Sequence, residues 1–252
     1  MAIKNKKSLG QNWLKNRIIL DDIAALAYND GDFSDYCLEI GPGLGTLTSA
    51  LLRQFAKVTS VEFDENLAKN LPKSFPGKNL EVINADILKF DLEAVEAPYV
   101  VAGNIPYYIT SPIIEKLLSA KNKPKRIVLL IQKEVAERIA AFDGHQSLLS
   151  LFVQNRADVE LGPIVYREEF TPPPKVDSEI IILTPKEQQI KDEVFTLIKK
   201  GFSSPRKKLT ANIAGLKSKE ELKQIFQKLN ISEDARPADL SLKDWENLYN
   251  SL

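Results

Sequence analysis

Between residues 36 and 132 the chain alternates short apolar, β-branched runs with longer stretches whose apolar positions recur every three or four residues. That alternation is the pattern of strands and covering helices in an α/β sheet. Strands are predicted at Tyr36 to Ile40, Val58 to Glu62, Leu80 to Asn84, Tyr99 to Gly103 and Arg126 to Gln132. Helices are predicted over Leu44 to Phe55, through Leu71, and over Thr110 to Ala120 and Glu134 to Phe142. After about residue 155 the rhythm changes to two longer β runs, Asp158 to Val165 and Val176 to Leu183. They are separated by Thr171-Pro172-Pro173-Pro174, and could close the sheet as an antiparallel pair. From Lys186 onward only helical patterns remain: Glu193 to Phe202, Pro205 to Ala214, Lys219 to Leu229 and Ser241 to Leu252. A domain boundary therefore falls near Thr184 to Glu187, giving an α/β domain over 1–185 and a small all-α domain over 186–252.

The first strand runs into Leu38-Glu39-Ile40-Gly41-Pro42-Gly43-Leu44-Gly45-Thr46. A glycine-rich turn here lets a ligand approach the backbone closely and presents it with a helix N-terminus. In a parallel open sheet this is where ligands bind. Glu62 ends the second strand, where a carboxylate accepts hydrogen bonds from both ribose hydroxyls of a nucleoside cofactor. These features are common to folds that bind NAD and folds that bind S-adenosylmethionine, but Gly41, Gly43 and Gly45 run G-x-G-x-G. That is one residue short of the fingerprint that cradles a pyrophosphate. S-adenosylmethionine has no pyrophosphate, so it fits the shorter turn better. Asp86, with Ile87 just beyond the third strand, is either the acceptor for the cofactor's adenine amine or simply a turn cap.

Asn104-Ile105-Pro106-Tyr107 follows the apolar run Tyr99 to Gly103. Such a tetrapeptide can be a strand end broken by a proline turn, with Tyr107 in the core. It also suits methylation of an exocyclic base amine, a poor nucleophile whose nitrogen must be drawn towards tetrahedral geometry. The Asn104 side-chain oxygen and the Ile105 carbonyl are two acceptors for that purpose, since a residue before proline is held extended. Tyr107 offers a face on which a base can stack.

Composition narrows the alternatives. In 252 residues, 44% are hydrophobic and 27% charged, ordinary values for a globular protein with a sizeable core. One cysteine rules out a disulfide framework, and one histidine beside it leaves little material for a zinc site, so no metal is expected. Cys37 reads as a small buried residue of a strand and His145 as a loop residue. The N-terminus has no apolar leader and the strongly apolar runs, such as Ile127 to Ile131, are too short for a bilayer, so the protein is expected to be cytoplasmic. The net charge is zero, yet the basic residues are segregated. Lys4, Lys6, Lys7, Lys15 and Arg17 lie in an N-terminal stretch without acids. Lys199, Lys200, Arg206, Lys207, Lys208, Lys217 and Lys219 form a second such stretch, and Lys121, Lys123, Lys125 and Arg126 a third cluster. These are either solvated faces or contacts for a phosphate backbone.

Taken together, these motifs resemble those of the KsgA-type rRNA adenine N6-dimethyltransferases, which share a fold with the Erm methyltransferases. Gly10-Gln11-Asn12-Trp13-Leu14 is similar to the family's G-Q-N-F-L, and Gln132 to Arg138 to its strand-to-helix segment. Phe170-Thr171-Pro172-Pro173-Pro174-Lys175-Val176-Asp177-Ser178 is similar to its F-x-P-x-P-x-V-D-S. The resemblance implies a Rossmann-like, S-adenosylmethionine-dependent methyltransferase sheet with helices on both faces. Gln11, Asn12, Leu14, Gly41, Gly43, Gly45, Glu62, Asp86, Ile87 and Asn104 would contact the cofactor. Asn104, Ile105, Pro106 and Tyr107 would hold the target base, with Phe170 stacking on it opposite Tyr107. Lys6, Lys7, Lys199, Lys200, Arg206, Lys207 and Lys208 would meet RNA.

The implied substrate is a pair of adjacent adenines in the loop of the last helix of 16S rRNA, in the small subunit or its precursor, each receiving two methyl groups from a monomeric enzyme. Some positions depart from the family. Ile105 stands where leucine is usual and is more typical of Erm enzymes, Trp13 replaces phenylalanine, Pro205 replaces an arginine, and a tyrosine-glycine pair is absent around Asp143 to Leu149. Two alternatives follow: an Erm-like enzyme acting on large-subunit rRNA, favoured by Ile105, and a nucleic-acid-binding relative that does not methylate. Intact Gly41, Glu62, Asn104 and Tyr107 speak against the second.

Overall fold

The computed structural model describes residues 11–141, 144–187 and 189–252. The chain divides into two compact units, one of 1–136 with 158–185 and one of 137–157 with 186–252.

The first unit is built on a seven-stranded sheet. In chain order its strands are β2 (Tyr36–Ile40), β3 (Lys57–Glu62), β4 (Leu80–Asn84), β5 (Val100–Asn104), β6 (Ile127–Gln132), β7 (Ala157–Val165) and β9 (Ser178–Pro185). Their spatial order is β4-β3-β2-β5-β6-β9-β7. The pairs from β4 through β6 are parallel, and β9 pairs antiparallel with β6. Strand order reverses between β2 and β5, which opens a crevice at the carboxyl ends of the strands. Cys37, Val58, Val100, Ala102, Val128, Leu130, Ile180 and Ile182 share one buried cluster. Their chain neighbours Leu38, Val101, Leu129 and Ile181 are buried as well. Because successive strand residues point to opposite faces, both faces of the sheet are covered, as a parallel sheet requires.

One face is closed by α1 (Arg17–Tyr28) and α2 (Thr46–Gln54), which contribute Leu20, Ile23, Ala24, Ala27, Leu47, Ala50 and Leu51 to that cluster. The Asn16 side chain caps α1 by accepting from Ile18 N at 3.0 Å, and the helix ends at Asn29 in the left-handed conformation. A short antiparallel pair stands apart from the sheet: β1 (Trp13–Leu14) against β8 (Phe170–Thr171). Asn16 Nδ2 donates to Glu169 Oε2 at 3.0 Å and reinforces it. After β3 come α3 (Glu65–Asn70) and a 3-10 turn, Leu71–Ser74; after β5 come a 3-10 turn, Tyr107–Ile109, and α4 (Thr110–Ser119). The helix expected through Leu71 thus stops a residue early, where Pro72 follows.

The second unit has its own core of Leu151, Val194, Ile198, Leu209, Ile213, Phe226, Trp245 and Leu248, among others. These come from α6 (Leu148–Arg156), α7 (Asp192–Gly201), α8 (Leu209–Asn212), α9 (Lys219–Lys228) and α10 (Leu242–Tyr249). The division falls within α5 (Lys133–Ala140), so 137–157 joins the helical unit and differs from the single boundary expected near residue 185. The reason is that Leu151, with Phe152 at its edge, packs with α7 residues such as Phe195. The helix expected over Pro205 to Ala214 is only the one turn of α8. Pro205 to Lys208 form an exposed loop before it.

Candidate active site

A cavity of about 310 Å³ opens at the carboxyl ends of β2, β3, β4 and β5. Each strand delivers one element of it: Ile40 and Gly41 from β2, Glu62 from β3, Asp86 and Ile87 just past β4, and Asn104 from β5. The glycine turn is shaped for close approach. Gly41 and Gly43 have φ of +67° and +56°, a region that favours glycine. A methyl group on Gly41 would meet nothing within 4 Å, so a side chain there would project into open space beside the cavity it lines.

Glu62 is 6% exposed and rigidly held. Its Oε2 accepts from Gly43 N at 3.0 Å and its Oε1 from Asp64 N at 2.8 Å. A carboxylate has about four lone-pair positions, so both oxygens keep capacity for the hydroxyls of a ribose. Burial raises its pKa, and the backbone donors work against that rise. Asp86 Oδ1 accepts from Leu88 N at 3.0 Å, the turn cap weighed from the sequence, while the residue also lines the cavity. A turn cap and a place in the cavity wall therefore coexist in one residue. Phe63, next to Glu62 in the chain, also lines the cavity and is 62% exposed, an apolar face in the same wall as the two carboxylates. The acceptors Glu62 and Asp86, with apolar faces at Phe63 and Ile87, match a purine nucleoside, and the open glycine turn leaves room for a chain attached to it.

At the β5 end, Asn104 Nδ2 donates to the Asn12 carbonyl at 3.1 Å. This fixes the amide plane and leaves Oδ1 as the side chain's acceptor. Ile105, Pro106 and Tyr107 continue the lining. The Tyr107 hydroxyl shares a 2.7 Å hydrogen bond with Ser178 Oγ on β9, and burial raises the phenol's pKa. Tyr107 is thus half-buried but lines the cavity, so neither pure core packing nor a free ring describes it.

Of the residues expected at the site, the cavity gathers Gln11, Asn12, Gly41, Gly43, Glu62, Asp86, Ile87, Asn104, Ile105, Pro106 and Tyr107. Three expected residues lie outside the lining. Leu14 is fully buried in the core, because its pairing with Phe170 turns it inward. Phe170, expected to face Tyr107, is 3% exposed, sits in the same core cluster and does not line the cavity. Gly45 caps α2 and faces Leu71 and Phe75 rather than the cavity. Sequence reasoning also missed lining residues. Trp13 lies against Gly43, and Tyr108, 63% exposed, stands at the rim beside Tyr107. The apolar residue directly after the Glu62 carboxylate was a usable signal for Phe63; nothing in the pattern singled out Tyr108.

Among the basic residues of the second unit, Arg206, Lys207 and Lys208 are exposed on the loop before α8. Lys208 is ion-paired with Asp234, and Lys199 lies 5.7 Å from the centre of the Phe195 ring. Lys6 and Lys7 lie outside the described residues. Cys37 is buried in β2. No helix among the described residues is long and apolar enough to cross a membrane.

A family model described as ribosomal RNA adenine dimethylase matches residues 2–252. The chain belongs to that family. It is 40% identical to the ribosomal RNA small subunit methyltransferase A of Acaryochloris marina, over 98% of this chain and 97% of that one. Its identity to the enzyme of the same description from Ligilactobacillus salivarius is 39%, over 98% and 90%. Among solved structures it is similar to the 23S rRNA methyltransferase ErmE, with a TM-score of 0.81 and 27% identity over 96% of this chain and 99% of that one. It is also similar to a dimethyladenosine transferase from Plasmodium falciparum, with a TM-score of 0.78 and 33% identity over 93% and 95%. The chain is therefore an S-adenosylmethionine-dependent rRNA adenine dimethyltransferase on a Rossmann-like sheet.

Proposed function

We propose that this enzyme dimethylates N6 of two adjacent adenines in the 3′-terminal helix loop of 16S rRNA, within the small subunit or its precursor, and so takes part in small-subunit biogenesis. The observation that carries the choice of rRNA is full-length similarity at 39–40% identity to small subunit methyltransferases. The similarity to ErmE and the presence of Ile105 favour a second reading, methylation of one adenine of 23S rRNA. Ile105 bears on it weakly, since that position acts through its carbonyl.

S-adenosylmethionine supplies an electrophilic methyl group on sulfonium sulfur. The chain's contribution is position. Glu62 takes the ribose hydroxyls, Asp86 the adenine amine with Ile87 and Phe63 on the ring faces, and the Gly41–Gly43 turn the amino-acid portion. Asn104 Oδ1 and the Ile105 carbonyl accept the two hydrogens of the target amine, which leaves the nitrogen lone pair directed out of the base plane. Tyr107, tethered to Ser178, stacks on that base. Holding nucleophile and methyl group in line is worth several orders of magnitude in rate. A base reaching such a site is single-stranded or flipped from its stack. The helical unit, with Lys199, Lys200, Arg206, Lys207 and Lys208, binds the rRNA backbone, and the enzyme works as a cytoplasmic monomer.

The test is incubation with labelled S-adenosylmethionine and unmethylated small subunits, large subunits or naked rRNA. Label in the small-subunit RNA is expected. Label confined to large-subunit RNA overturns the assignment, and no label on any of them favours a binding protein.

A further inference from the structure

The family's aromatic before Leu14 is here a tryptophan, and the structure places its one polar atom at the cofactor turn. A methyl group on Gly43 would come within 3.2 Å of Trp13 Nε1 and 3.3 Å of its Cδ1. The pyrrole edge of the indole therefore rests on the glycine turn, in the wall of the cavity. Trp13 is half-buried, and its N–H makes no hydrogen bond among the described residues. An indole N–H is a donor only. Around it the cavity is rich in acceptors: Glu62, Asp86 and the Asn104 oxygen.

The strand order β4-β3-β2-β5 sets out the proposed cofactor site in sequence. Asp86 stands past β4, Glu62 at the end of β3, the glycine turn past β2 and Asn104 at the end of β5. With the adenine and ribose at the first two, the amino-acid end of the cofactor falls at the turn, beside Trp13. That end carries a carboxylate, whose burial needs donors. We propose that Trp13 is a cofactor-binding residue whose Nε1–H donates to the carboxylate of the cofactor's methionine moiety.

The inference rests on the cofactor placement argued above, so the experiment reads both. Trp13→Phe keeps an aromatic ring and removes the N–H. Binding is measured by calorimetry with S-adenosylmethionine and with its decarboxylated analogue, which keeps the sulfonium and the ammonium. Expected is an affinity about tenfold weaker for S-adenosylmethionine in Trp13→Phe, as for loss of one hydrogen bond to a charged group, and an unchanged affinity for the analogue. Equal loss for both ligands, or no loss for either, overturns the proposal. Glu62→Gln serves as the placement control and should weaken both ligands alike; if it weakens neither, the placement itself fails. Fluorescence gives a second readout. The chain has two tryptophans, and Trp245 is buried in the helical unit's core. Cofactor should therefore change emission of the unsubstituted enzyme and leave Trp13→Phe silent; a signal of equal size in the variant counts against the proposal.

Discussion

The Tyr107 hydroxyl and Ser178 Oγ, 71 positions apart in sequence, meet at 2.7 Å and tie the end of the Asn104–Tyr107 segment to β9. This contact orients the ring without occupying its face. Ser178→Ala should leave cofactor affinity intact and lower kcat about threefold to tenfold, roughly the net worth of one hydrogen bond. Tyr107→Ala should cost more, since base stacking contributes about 1–3 kcal/mol. Steady-state methylation of unmethylated small subunits, with cofactor binding measured separately, separates the two effects.

Asn104→Ala removes the acceptor that the Asn12 carbonyl holds in place. Turnover should be abolished, with cofactor binding weakened but measurable by calorimetry. Near-normal turnover would remove the acceptor role.

Gly45 does not line the cavity, so its substitution tests folding alone. At φ +82° an alanine methyl would sit 2.6 Å from Leu71 Cδ1 and 2.9 Å from Phe75 Cε2. Gly45→Ala should destabilise the α/β unit by about 2–3 kcal/mol, combining left-handed strain with overpacking. Chemical denaturation followed by circular dichroism measures it.

Glu39 lies fully buried in β2, where its Oε2 accepts from Thr48 Oγ1 at 2.7 Å and Ser60 Oγ at 2.6 Å. Burial lifts its pKa to about 7, against the pull of those two hydroxyls. The folded state thus keeps a proton that the unfolded chain releases at lower pH. Stability should fall as pH rises from the ordinary glutamate range to about 7 and level off above it, by roughly 3 kcal/mol in all. Melting temperatures across pH 5 to 8 should show this slope in the natural sequence and lose it in Glu39→Gln.

Arg206 and Lys207 project from the exposed loop before α8, and each is expected to neutralise a phosphate.

 Replacing either with alanine should weaken rRNA binding and lower the slope of log affinity against log salt by roughly one per charge. Filter binding at several salt concentrations reads the slope, and an unchanged slope would place the loop away from the RNA.

Much of the sheet was legible because its strands are short runs rich in apolar and β-branched residues. Tyr36–Ile40 and Leu80–Asn84 were read to the residue. Two helices were not. In α1 the run Arg17–Tyr28 follows a basic stretch that drew attention to charge, although Asn16 is a good cap. In α6 apolar residues are spread around the helix, so no face stands out, and only the Ser147 capping box marks its start. At the site, Glu62 and Asn104 were expected from their places at strand ends, where register sets the side-chain direction, and both line the cavity. The burial of Leu14 and Phe170 was not legible because their direction depends on β1 pairing with β8, a contact between distant segments that periodicity does not reveal. Trp13 was visible only as a departure from a motif, and its contact with Gly43 needs the fold.

That same β1–β8 pair bears on how the enzyme comes into being. Gln11, Asn12 and Trp13 line the cavity, yet the strand that anchors them beside it contains Phe170 and Thr171. During synthesis the nucleotide-binding half of the pocket emerges first, and its N-terminal wall waits for a partner made much later. A nascent chain that stops short of β8 would hold Glu62 and the glycine turn without the clasp across them. Completion of the pocket is in this sense a report that nearly the whole α/β unit has been made.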